Sequence, residues 1–106
     1  MAFITELYRA TTRFPKEELY GLTAQVRRAA VSIAMNIAEG SAAGSDLEFR
    51  RYLTIAARSG YEAMCGIEVA IQLGYLDVRT GNALLDRLEE LSAMLYSFRG
   101  KLEAEG

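Results

Sequence analysis

Histidine and tryptophan are absent from this 106-residue chain, which holds one cysteine and one proline. Without histidine there is no imidazole base, no Ser-His-Asp relay and no His-ligated metal centre. A lone cysteine cannot close an internal disulfide or build a thiolate zinc cluster, which suits a reducing compartment. A single proline, set among runs rich in Ala, Leu, Glu and Arg, points to an all-α chain. No G-x-x-x-x-G-K-[ST] or G-x-G-x-x-G stretch occurs, so neither phosphate-cradling loop is on offer. Excess charge is lacking too: twelve basic residues against fourteen acidic ones leave a net −2. No global field therefore recruits nucleic acid. The longest low-charge window, Ala29 to Ala38, is too short to span a bilayer and includes Ser32 and Asn36. Met1 to Glu6 has no basic stretch leading into an apolar one, so no leader is expected and the protein is expected in the cytoplasm.

What is there is helical periodicity, enough for one domain over residues 1–106. Phe3, Leu7, Ala10 and Phe14 predict a short first helix over residues 3–13, stopped by Pro15. Leu22, Val26, Ala30, Ile33 and Ile37 predict a second over 22–39, with Gly40 as its left-handed stop. Ser45 and Glu48 form an S-x-x-E capping signature for a third over 46–73, ended by Gly74. Its stripe is Phe49, Leu53, Ala56, Gly60, Ala63, Ile67 and Ala70. A fourth opens at Asp77 or Thr80 and runs to about Leu102 through Leu84, Leu88, Leu91, Leu95 and Phe98. Short connections predict an antiparallel up-down-up-down four-helix bundle.

The lengths do not match. A first helix of about three turns cannot cover grooves between helices of about seven turns, at about 1.5 Å per residue. Tyr52, Ile55, Tyr61, Met64, Val69 and Ile71 also lie off the main stripe of the third helix. Apolar surface left open on this scale predicts a partner, and a homo-oligomer is expected.

A polar stripe runs beside the apolar one. Gln25, Arg28, Ser32, Asn36 and Glu39 share a face of the second helix, and Arg51, Arg58 and Glu62 share one on the third. Folding the two together predicts ion pairs from Glu39 to Arg50 or Arg51 and from Arg28 to Glu62. Such a seam can serve only to fix helix register. Alternatively Arg27, Arg28, Arg50, Arg51 and Arg58 hold phosphates, for which the guanidinium fork is suited. Residues 1–58 carry eight Arg or Lys against six acids, whereas 59–106 carry four against eight, so the arginines lie in the basic half. Cys65 and the tyrosines at 8, 20, 52, 61, 75 and 96 are expected in the core. No catalytic constellation, metal set or cofactor motif emerges, so a non-enzymatic protein is expected.

The run FPKEELYGLTAQVRRAAVSIAMNIAEG over residues 14–40 resembles the signature of the bacterial four-helix-bundle proteins named for intervening sequences of 23S ribosomal RNA genes. F-x-x-Y-L-x-I-A-x-x-S-x-x-E over 49–62 and L-G-Y-L over 73–76 extend the likeness. The resemblance implies a ring-like homo-oligomer, a homopentamer. It also implies kinship with accessory proteins of diversity-generating retroelements, which bind a reverse transcriptase and nucleic acid through a basic surface. The family motif falls on Gln25, Arg28, Ser32, Asn36, Glu39, Gly40, Ser59 and Glu62, and it transfers no catalytic residue. The chain departs from that pattern in its shorter first-helix segment and its acidic balance. The expected function is binding of structured RNA or DNA through the arginine face, with a protein-interaction scaffold as the alternative.

Overall fold

The structure is a computed structural model that describes residues 1–105; Gly106, the last residue of the expected domain, lies outside it, as do the side chains of residues 104 and 105. Four helices follow one another with no strand among the described residues: α1 (Ala2–Thr11), α2 (Leu22–Ser41), α3 (Asp46–Gln72) and α4 (Val78–Glu105). A 3₁₀ turn at Lys16–Glu18 separates the first two. None of the helices is long and apolar enough to cross a membrane.

Several helix ends have a local cause. The hydroxyls of Thr11 and Thr12 donate to the carbonyls of Tyr8 (3.0 Å) and Arg9 (2.6 Å), competing with further turns of α1. Glu18 Oε1 accepts from the amide of Leu22 (3.2 Å) and so caps α2 from outside. Ser45 Oγ accepts from the amide of Glu48 (3.2 Å), but the Glu48 carboxylate turns to Arg51 (2.7 Å), so only half of the capping box forms. Gly74 ends α3 with φ +78°, its amide bonded to Ile71 O (3.0 Å) and that of Tyr75 to Ala70 O (2.9 Å). That is the pattern of a Schellman stop, which a β-carbon would strain. Asp77 caps α4, accepting from the amide (2.7 Å) and hydroxyl (3.0 Å) of Thr80.

Gly40 corrects the sequence reading. It is not a left-handed stop, since α2 continues through it to Ser41 and Gly74 is the glycine with positive φ. A β-carbon on Gly40 would sit 2.8 Å from Phe49 Cδ1 and 2.8 Å from Tyr52 Cβ. The glycine lets two helices touch rather than letting one end.

The expected stripes form the core, with Leu7, Val26, Ile33, Ile67 and Leu88 wholly buried, except that Phe98 of the fourth stripe is exposed and packs its ring beside Phe49. Register follows from the contacts. On α2 and α3, Val26 meets Gly66, Ser32 meets Ser59 and Gly40 meets Phe49, so numbers rise on one helix as they fall on the other. On α3 and α4, Ile71 meets Gly81, Gly60 faces Ser92 and Arg50 reaches Glu103 in the same manner. The short α1 lies between α2 and α4, tied to the latter by a Glu6–Arg87 ion pair. Phe14 packs its ring 5.7 Å from that of Tyr75 at the base of the connection.

Candidate functional site

The polar stripe divides into groups with different work. Ser32 on α2 and Ser59 on α3 share a hydrogen bond across the interface (2.8 Å). Asn36 Nδ2 donates to Ser32 Oγ (3.0 Å) and to Ser32 O (2.8 Å) one turn back. Ser59 is buried, Ser32 and Asn36 are half-buried at the wall of the open groove on α2, and the three side chains satisfy one another. Gln25 and Glu62 stand further along the same seam, lining a groove of about 340 Å³ with Cys65 and Val69. Serine and glycine therefore hold α2 to α3 by close approach, with Asn36 bracing Ser32 from its own helix.

The expected cross-helix ion pairs do not form. Arg50 pairs with Glu103 (3.3 Å) on α4, and Arg51 with Glu48 (2.7 Å) on its own helix. Arg28 and Glu39 line an open groove on the outward side of α2 instead. The continuation of α2 through Gly40 explains this. Gly40 takes the position against α3, and Glu39, one residue earlier and about 100° away, points elsewhere.

The five candidate arginines are not one patch. Arg27 faces α1: its Nε donates to Thr11 Oγ1 (2.8 Å), and its guanidinium carbon lies 4.7 Å from the Tyr8 ring centroid. The stacking and the hydrogen bond make it a strut between helices. Arg50 faces α4, with a buried Nε that has no partner among the described residues. Arg28, Arg51 and Arg58 are exposed, and Arg28 and Arg58 enter no ion pair among the described residues. Arg51 and Arg58, seven residues apart, share the outer side of α3.

Two further expectations fail. Cys65 is exposed rather than in the core. It lies about 200° round the helix from buried Ala63, so periodicity alone places it outside. Most tyrosines are surface residues as well, Tyr20 being 92% exposed. Tyr52 and Tyr75 are half-buried, and the hydroxyl of Tyr75 donates to Glu18 Oε2 (3.0 Å). That bond, with burial and the charge of Glu18 behind it, holds the phenol above its ordinary value. The Asp77 carboxyl is lowered, chiefly by the backbone amide of Thr80. None of these groups sits in an enclosed cleft, and no three metal-ligating side chains gather among the described residues.

An all-α, four-helix protein results, whose polar motif is mostly a helix seam and whose spare charge is a short set of exposed arginines. The chain belongs to the 23S rRNA-intervening sequence protein family, whose family model matches residues 1–97. No curated protein matches it.

Proposed function

We propose that this is a non-enzymatic cytoplasmic protein, an antiparallel up-down-up-down bundle assembled as a ring-like homo-oligomer, that binds structured RNA or DNA through Arg51 and Arg58. The observation that carries the reading is the split among the arginines. Arg27 and Arg50 are half-buried and tied to α1 and α4, while Arg58 pairs with no acid among the described residues and Arg51 is held only by Glu48, an exposed i,i+3 pair of little worth. A guanidinium so held exchanges a weak carboxylate contact for a phosphate at small cost. Repetition around a ring, a pentamer by the family resemblance, multiplies a two-arginine patch through effective concentration, which offsets the net −2 of each chain.

The test is fluorescence anisotropy with labelled structured RNA and duplex DNA, titrated from low to physiological salt. Binding is expected to weaken linearly on a log–log salt plot, by about 0.7–0.9 in slope per phosphate neutralised. Arg51→Glu with Arg58→Glu is expected to abolish it while helix content and oligomer mass hold. Absence of binding at low salt overturns the reading and leaves the scaffold alternative, in which the exposed apolar surface holds a protein.

A further inference from the structure

Two exposed helix faces of unlike character stand at opposite corners of the bundle. α2 and α4 each lie against α1 and α3 but do not approach one another among the described residues. The outward side of α2 is an open, mainly apolar groove of about 900 Å³ in which Leu19, Tyr20 and Met35 are exposed. Arg27 and Arg28 line its middle, and its one acid, Glu39, stands at the far end. The outward side of α4 has the opposite sign. Asp86, Glu89 and Glu90 are exposed there beside Ala83 and Ala93. Arg79 and Lys101 stand exposed towards the two ends of this side, so the acids form its middle; of the cations nearer to them, Arg87 is taken by Glu6 and Arg99 by Thr54 and the Tyr96 ring.

We propose that the α2 groove of one copy receives the acidic outer face of α4 from a second copy, with Arg28 set among Asp86, Glu89 and Glu90. This rests on the reading that the chain self-associates, and it names the surfaces. Charge complementarity picks the occupant: a ridge of alanines and acids fits a groove of large apolar side chains with an arginine in its wall. Because the faces differ and stand at opposite corners, the contact is heterologous. Each copy gives one face to each neighbour, and the chain of contacts closes into a ring when the rotation per step divides a full turn. Arg28 is then covered, while Arg51 and Arg58 on α3 stay outside.

Sedimentation velocity on the full chain at low salt tests this. The wild type is expected as a species of more than two copies. Arg28→Glu, or Glu89→Lys with Glu90→Lys, is expected to weaken assembly by roughly tenfold or more, since like charges then face each other. The three changes together restore opposite signs and are expected to restore the assembly, with circular dichroism showing each variant folded. Met35→Asn, which leaves the charges of both faces in place but wets the groove, is expected to dissociate it too. An oligomeric wild type indifferent to these changes overturns the assignment of faces and leaves self-association standing. A two-copy species overturns the heterologous contact. A monomeric wild type overturns self-association itself and gives the groove to an acidic helix of another protein.

Discussion

α2 meets its two neighbours in different ways. Towards α3 it presents Val26, Ser32 and Gly40, and the helices approach until a β-carbon at Gly40 or Gly66 would collide with the other side. Towards α1 it presents Arg27 and Thr23, and the ten-residue α1 is held by a guanidinium, a Leu7 anchor and an ion pair. The first interface is closed by small side chains whose hydroxyls are paired. The second is propped by long ones, and the Thr23 hydroxyl is buried at it without a partner. Backbone proximity gives a rigid seam that tolerates no added volume, whereas side-chain struts give a flap that can open by itself.

Four substitutions can break or sharpen this contrast. Leu7→Ala removes the one wholly buried side chain of α1 and is expected to cost about 3 kcal/mol. Hydrogen exchange should show α1 amides opening first while those of α2 and α3 stay protected; equal loss across the molecule would erase the distinction. Gly40→Val is expected to cost about 2 kcal/mol by overpacking against Phe49 and Tyr52, with one cooperative denaturant transition shifted as a whole. Ser59→Ala and Thr23→Val should differ in sign, the first losing about 1 kcal/mol with the paired hydroxyl and the second gaining about 0.5–1 kcal/mol by deleting an unpaired one. Matching signs in thermal melts would mean that the two interfaces satisfy their polar groups alike.

The smallest effect is in alkali. Tyr75 is raised above the ordinary phenol value in the folded state, so the unfolded chain releases that proton first. Its contribution is therefore complete below the ordinary value of 10.0 and is lost as pH rises through the folded one. Tyr75→Phe should flatten the decline in stability above that pH; an unchanged slope would detach the Glu18 bond from the fold.

Helix number and type, the buried stripes, the Gly74 stop and the Asp77 cap were all legible, because periodicity and cap chemistry are local. Gly40 was misread because a glycine near a helix end serves equally for a left-handed turn or for close contact, and only the partner helix decides. The ion pairs were misassigned for the same reason: Arg50 and Arg51 are adjacent in sequence, yet one reaches α4 and the other its own helix. Cys65 is legible from its angle of about 200° from buried Ala63, which places it outside although a small thiol suits a core. The seam of Ser32, Asn36 and Ser59 was half visible, with the stripe read from spacing but its cross-helix bond set by tertiary register.

The central claim is that placement, not the number of arginines, makes a nucleic-acid surface. Anisotropy at low salt with structured RNA, comparing Arg51→Gln/Arg58→Gln with Arg27→Gln/Arg50→Gln, tests it directly because both pairs remove the same charge. The account predicts that the first pair loses binding and that the second, while folded, keeps it with a lower melting temperature. Equal losses in both would contradict it.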